Sequence, residues 1–251
     1  MSLPTPRRRT PVRASLAQPH DCPRPLRRRI LAALPLVEGL TPDQLDALDE
    51  RILSFSWAAG DALYTAGDAA GHIYIVASGQ VKLAHSWIDG RRRIVDVVGP
   101  GDLFGGEAMV EQFYLDSADA LSTTCALRLA VADFRAILVE HPDLALRVLD
   151  NTTRQLAQCR QDAARHVGQS TASRVAETLL RLADKFGQPD DETGGTLINL
   201  TFTREDLAEM TGTTPESVSR VMSRLRADGL VSSGRRWTSV LDRAGLAALT
   251  A

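Results

Sequence analysis

The sequence is poor in the residues that mark several classes of protein. Its 251 residues include only three cysteines, Cys22, Cys125 and Cys159. That is too few for the disulfide framework of a small secreted domain, and the usage suits a reducing compartment. Aromatics make up 5% and the formal net charge is −2, so bulk charge gives no sign of a nucleic-acid partner. No apolar run approaches the roughly 18 residues of a membrane span. Arg27, Arg28 and Arg29 before the apolar run at 30–34 imitate a targeting signal, but Pro35, Glu38 and Gly39 break it at once. These shortages predict a cytoplasmic protein without a membrane partner. With 44% hydrophobic and 24% charged residues, a wholly disordered or collagenous chain is excluded, and the length suits two domains.

The near-neutral total hides a lopsided distribution. Residues 1–30 carry eight arginines against Asp21 alone, a local charge of +7 that the other 221 residues offset with −9. Pro and Arg dominate residues 1–26, which predicts a flexible basic tail, either a solvated arm or a non-specific attraction for phosphate. A helix is expected from about Arg27, and a second where Thr41 can cap and Pro42 fits the first turn. Between about Ser54 and Val131 the pattern changes to short β-branched runs separated by turn signals. Nine of the 18 glycines lie from Gly60 to Gly106. Short strands at regular spacing predict a small sandwich or barrel.

After Ala132 the period becomes helical. A short helix at 132–140 is followed by a long one from Pro142 to about Val167. Leu149, Thr152, Leu156, Cys159, Ala163 and His166 alternate at spacings of three and four, the seam of a weak two-stranded coiled coil. The competing reading is a helix packed on its own domain. A helix at 171–186, a polar loop or hairpin tip at 188–195 and a strand at 197–202 follow. The domain boundaries expected are 1–26 for the tail, 27–141 for the β-domain with flanking helices, 142–168 for the dimerisation helix and 169–251 for the C-terminal domain.

The most specific pattern spans 203–226. Thr203 can N-cap a helix, with Asp206 at the reciprocal position of a capping box. Gly212 lies where a sharp interhelical turn needs a positive φ. Thr214 caps a second helix with Pro215 at its first position, and Val218, Val221 and Leu225 give it a buried face. This is a helix-turn-helix, whose second helix enters the major groove by its first turns. Its outward residues Glu216, Ser217, Ser219 and Arg220 are the candidate base contacts, because arginine suits guanine and glutamate suits cytosine N4. The bland alternative is a surface ion pair between Glu216 and Arg220, four apart. Thr203, Thr214, Arg224 and Arg226 are candidate phosphate contacts. The run from Leu230 to Trp237 predicts a hairpin wing with its tip at Ser233, Gly234 and Arg235, the last another phosphate candidate.

A glycine-punctuated β-domain, a long helix and a winged helix-turn-helix, in that order, resemble the Crp/Fnr family of bacterial transcription regulators. The resemblance covers roughly residues 35–245. It rests on Gly60-Asp61 with Gly67-Asp68, on the segments 74–83 and 100–107, and on the helix-turn-helix. It implies an α+β architecture: a cyclic-nucleotide-binding-like jelly roll, a dimerisation helix and a winged helix-turn-helix. It also implies a homodimer on palindromic double-stranded DNA, RNA polymerase as a further partner, and a long helix that transmits effector binding to the DNA domains. Glu216, Ser219 and Arg220 match the E-x-x-S-R pattern of the Fnr-like branch. The cyclic-AMP branch carries Arg and Gly where this chain has Pro215 and Ser219, so the implied half-sites are TTGA-like.

The resemblance also bears on the effector. Cyclic-nucleotide members follow Gly-Glu with an Arg-Ser/Thr-Ala triplet about ten residues later. Here Gly106 and Glu107 are present, but Asp116 precedes Ser117 and Ala118, and a carboxylate repels a phosphate in a pocket of low dielectric. The adenine-contacting pair of the cyclic-AMP receptor falls on Cys159 and Arg160. Cyclic AMP is thus disfavoured, and three cysteines cannot supply the four thiolates of a [4Fe–4S] cluster. Three possibilities stay open. One is a haem with an axial ligand from His20, Cys22, His72, His85, His141 or His166. Another is thiol sensing at Cys159, whose bland role is an apolar filler. The third is activity without any effector. Catalysis is not expected, because the His-x-His of metal-dependent cupins, Ser-His-Asp patterns and P-loops are all missing from the sequence.

Overall fold

Two four-stranded antiparallel sheets form from the glycine-punctuated stretch. The computed structural model describes residues 22–34, 37, 40–165 and 168–250. The chain divides into two compact units, one ending at Gly168 and the other beginning at Gln169. In the first, β1 (Ile52–Trp57), β8 (Thr124–Ala130), β3 (His72–Ser78) and β6 (Leu103–Phe104) form one sheet in that order. The second sheet runs β2 (Ala62–Tyr64), β7 (Ser117–Ala120), β4 (Val81–Ser86) and β5 (Arg92–Val98).

Strand periodicity divides the core in two. Tyr74 and Val76 join Tyr64, Val81, Val98, Phe104, Tyr114, Ala118 and Ala126 in a cluster drawn from both sheets. Their neighbours Ile73 and Ile75 point the other way and pack with Leu127 and Leu129 beneath helices. These helices are α1 (Arg24–Ala32), α2 (Pro42–Glu50), α3 (Val131–Glu140) and the start of α4 (Pro142–Arg165), through Leu31, Leu48, Phe134, Ile137 and Leu144. Burial on both faces is why β3 reads as a continuous apolar run and not as an alternation. At its end Gly79 has φ +84, and a Cβ there would meet the Thr123 carbonyl oxygen at 2.5 Å. Buried hydrogen bonds fix this turn: Gln80 N–H donates to Ser122 Oγ (3.1 Å), and Thr124 Oγ1 donates to the Gln80 carbonyl (3.2 Å).

The first helix begins three residues earlier than the sequence suggests. Helix α1 begins at Arg24, inside the stretch read as flexible, because its arginines have counter-charges on α2. Arg24 and Arg27 both bind Asp49, at 3.1 and 2.8 Å, and Arg28 binds Asp46 at 3.0 Å. Asp49 is 1% exposed, and a carboxylate so deep requires a paired cation. Arg7, Arg8, Arg9 and Arg13 lie outside the described residues.

The second unit comprises α5 (Thr171–Phe186), β9 (Gly187–Asp190), β10 (Gly195–Ile198), α6 (Arg204–Thr211), α7 (Pro215–Ala227), β11 (Val231–Gly234), β12 (Trp237–Val240) and α8 (Arg243–Ala248). Its sheet has the order β11-β12-β10-β9. The polar stretch at 188–195 belongs to the β9–β10 hairpin. The strand expected at 197–202 stops at Ile198, because Asn199 N–H turns to the Phe186 carbonyl at 2.7 Å. Leu200 and Phe202 are nevertheless buried, which accounts for the misleading alternation.

Candidate nucleic-acid interface and sensor pocket

The helix-turn-helix is assembled from local devices. Thr203 caps α6 in a reciprocal box: Asp206 N–H donates to Thr203 Oγ1 at 3.0 Å, and Thr203 N–H to Asp206 Oδ2 at 2.8 Å. Gly212 ends α6 with φ 62°, and Thr214 caps α7 by accepting from Ser217 N–H at 3.3 Å. Leu207, Ala208, Val218, Met222 and Leu225 are buried. Met222 and not Val221 fills the middle of the α7 face, since 218, 222 and 225 lie on one helical stripe.

The opposite face of α7 presents Glu216, Ser219 and Arg220 to solvent, while Ser217 is half-buried beside its cap. The ion pair considered between Glu216 and Arg220 does not form. Arg220 Nη2 donates instead to Ser217 Oγ at 3.2 Å. The Glu216 carboxyl is held below its ordinary range first by its backbone amide, then by Thr214, with the Arg220 charge a smaller influence. The guanidinium therefore lies one turn from its cap, and the carboxylate stays open.

Phosphate candidates surround this face. Arg226 and Arg235 are exposed, and Arg224 makes a loose contact with Asp228 at 3.7 Å. Thr203 and Thr214 stand at helix N-termini, where free amides favour an anion. The wing differs in register from the expectation. Gly234 pairs with Trp237, so the tip is Arg235 and Arg236, the latter at φ 63°. Gly234 belongs to the strand because a Cβ there would meet Trp237 Nε1 at 2.3 Å.

Sequence reasoning missed Arg204. It is half-buried at the start of α6, and Nη2 donates to Ser233 Oγ on the wing at 3.3 Å. Burial, and secondarily the charge of Arg226, hold its pKa below the ordinary value. Neither Arg204 nor Arg226 has a carboxylate partner among the described residues. The available signal was a cation in the first turn of a helix, where the dipole opposes it.

In the first unit the candidate pocket residues come together around an aromatic stack. Tyr64 and Tyr114 lie face to face with centroids 3.8 Å apart and planes at 15°. Tyr64 Oη donates to Asp116 Oδ1 at 3.1 Å, and Ser117 Oγ accepts from Ala66 N–H at 3.0 Å. Gly106 and Glu107 open a 3-10 turn, Gly106–Met109. The Glu107 and Asp116 carboxyls lie within hydrogen-bonding reach of each other. Burial first, and then the Asp116 charge, push Glu107 up to about 6, and burial likewise raises Asp116. Glu107 Oε1 has no hydrogen-bond partner. Two carboxyls so placed hold a proton between them more readily than they would accept a phosphate.

Other candidates are dispersed. Arg160 is exposed on α4 and makes no hydrogen bond or ion pair among the described residues. The Cys159 and Ala163 side chains, and His20 and His166, lie outside what is described. His85 Nδ1 approaches the Leu115 carbonyl at 3.1 Å, His141 Nδ1 faces Gln44 Nε2 at 3.2 Å, and His72 is half-buried. Cys22 is buried against Cys125. Among the described residues no three His, Cys, Asp or Glu side chains gather as a metal site. On the expected seam, Leu149 and Leu156 are 60% and 49% exposed. Thr152 is exposed too, and its Oγ1 donates to the Val148 carbonyl at 2.8 Å.

A sensor sandwich and a winged helix-turn-helix define a DNA-binding transcription regulator. Residues 54–141 match the cyclic nucleotide-binding domain family and residues 173–249 the Crp-like helix-turn-helix domain. The chain is 32% identical over 190 residues to the transcriptional regulator LdrP of Thermus thermophilus, covering 76% of this chain and 93% of that one. It is 30% identical over 199 residues to the nitrogen fixation regulation protein FixK of Bradyrhizobium diazoefficiens, covering 78% and 81%. The structure of FixK2 from Bradyrhizobium japonicum superposes with a TM-score of 0.72 at 25% identity, over 80% of this chain and 98% of that one. This chain belongs to the Crp/Fnr family of transcription regulators. Its relatives are regulators and not enzymes, and no helix among the described residues is long and apolar enough to cross a membrane.

Proposed function

We propose that the protein binds two-fold symmetric TTGA…TCAA-like sites as a homodimer, with Glu216, Ser217, Ser219 and Arg220 reading bases. The observation that carries this reading is the division of α7. Val218, Met222 and Leu225 are consumed by the core, while Glu216, Ser219 and Arg220 have no packing role. Thr203, Thr214, Arg224, Arg226 and Arg235 position the helix on phosphates, and Arg204 joins them through its alignment by the wing. Leu149 and Leu156, one heptad apart and uncovered, supply the apolar seam for a second copy. Symmetric dimers require symmetric sites. A regulator of this kind works where the chromosome is, in the bacterial cytoplasm, and acts on transcription through RNA polymerase.

Cyclic nucleotides are not the controlling ligand in this reading, because Asp116 stands where the resemblance implies a phosphate-binding arginine. Selection of bound sequences from random duplex DNA by the purified protein, with and without cyclic AMP, tests the whole reading. Enrichment of paired TTGA half-sites without the nucleotide is expected. Enrichment of an unrelated or unpaired sequence, or a requirement for cyclic AMP, would refute it.

A further inference from the structure

Two of the three cysteines, 103 positions apart in the sequence, meet in the first unit. Cys22 and Cys125 are free thiols, 2% and 1% exposed, and each is near enough to shift the other's pKa. The Cys22 backbone is held at both its amide and its carbonyl. Cys22 N–H donates to Ser54 Oγ at 3.2 Å, and Arg27 Nη1 donates to the Cys22 carbonyl at 3.1 Å. Ser54 lies on β1, two residues before Ser56, which pairs across the ladder with Cys125 on β8. Arg27 is itself fixed on buried Asp49. The backbone around Cys22 is thus anchored to the strand next to Cys125, so the thiols need little rearrangement to bond.

We propose that Cys22 and Cys125 are an oxidative modification site that closes into an intramolecular disulfide, covalently tying the start of α1 to β8. A peroxide is the class of oxidant. The Cys22 thiolate attacks one peroxide oxygen, the O–O bond breaks, and hydroxide leaves to take up the thiol proton as water. The sulfur of Cys125 then displaces the hydroxyl from the resulting Cys22 sulfenic acid. The S–S bond forms, and a second water departs with the Cys125 proton. Two thiols are oxidised and one peroxide is reduced to two waters. Cys22 is the attacking group because the Arg27 charge favours its thiolate, although burial raises its pKa overall, whereas burial and then the neighbouring Cys22 push Cys125 up to about 12. Burial makes the first step slow, and the anchoring of Cys22 beside the strand paired with Cys125 makes the second fast. The product is therefore a disulfide and not a higher oxide.

The test treats full-length reduced protein with hydrogen peroxide, removes the peroxide, alkylates remaining thiols and maps peptides without reduction. The expected result is loss of the mass of two hydrogens, a peptide joining Cys22 to Cys125 within one chain, and Cys159 outside the link. Unfolding temperature should rise by about 5 °C or more and return on reduction, since the closed loop is long. Cys22→Ser should abolish the mass change and the rise together. Three results would each overturn the proposal: both thiols still alkylated, sulfinic acid at Cys22 without a link, or a link only between copies through Cys159.

Discussion

Replacing Glu107 by glutamine should stabilise the sensor unit at neutral pH. The carboxyl is moved from an ordinary 4.5 to about 6, mainly by burial and then by Asp116. The folded state therefore holds its proton more tightly than the unfolded chain. Its contribution is favourable below about pH 4.5 and is lost as pH rises through 6. Each pH unit of displacement is worth about 1.4 kcal/mol, which gives about 2 kcal/mol at pH 7.5. Glu107 is only half-buried, so solvent screening reduces this to about 1 kcal/mol. Glutamine keeps the shape, removes the charge and lets an amide donate to Asp116. Thermal unfolding followed by tryptophan fluorescence in a Trp237→Phe background isolates Trp57 and Trp87 of the first unit. E107Q should unfold about 2–4 °C higher at pH 7.5, with the gain shrinking to nothing near pH 4.5. A variant less stable at pH 7.5, or a gain independent of pH, would refute the shared-proton account.

Arg220→Ala should cost about 1–3 kcal/mol of specific affinity and relax the preference at one base position. Arg224→Ala should weaken all sequences alike and flatten the salt dependence; binding titrations on matched and mismatched duplexes at several salt concentrations separate the two roles. Asp49→Ala removes the buried partner of Arg24 and Arg27 and should destabilise the first unit by about 3 kcal/mol, read from denaturant unfolding. Gly79→Ala should cost more than about 2 kcal/mol in the same assay, because positive φ and the Thr123 carbonyl both oppose a Cβ. Leu149→Glu should leave the proposed dimer monomeric in analytical ultracentrifugation; a dimer that persists in the variant would remove Leu149 from the proposed seam.

What was legible in the sequence was what depends on near neighbours. The caps at Thr203 and Thr214, the turn at Gly212 and the burial of Val218 all follow from spacings of fewer than five residues. The structure reproduces each of them. The failures share a different cause. Arg24 reads as part of a solvated tail because its partners Asp46 and Asp49 lie more than twenty residues away, and charge in a sequence carries no address. The alternative of a Glu216–Arg220 ion pair follows from helical spacing, yet Ser217 lies on the same stripe and offers a closer acceptor. The wing was displaced by one residue because Gly234 signals a turn, whereas here its lack of a side chain makes room for Trp237. Arg204 and the Cys22–Cys125 contact are invisible locally, since each acquires meaning only from a distant chain segment.

In the proposed reading the charge of the pocket is independent of the core that holds the sandwich. The first unit is held together by its sheet pairing and by a core that includes Tyr74, Val76, Val81 and Ala126. None of these carries charge. Asp116 contributes to neither; it lies just before β7 and bonds to Tyr64 at the edge of the aromatic cluster. Asp116 can therefore be exchanged without opening the core, and a carboxylate where the resemblance implies a cation reverses the sign of the local field. In the proposed reading Glu107 faces a carboxyl here and shares a proton with Asp116. The pocket then becomes self-consistent without a phosphate, and an arginine at 116 alone would restore the charge while leaving Tyr64 without its acceptor. A pocket rewired in this way needs compensating changes at Tyr64 and Asp116 together, so single-residue reversion to a cyclic-nucleotide site should fail.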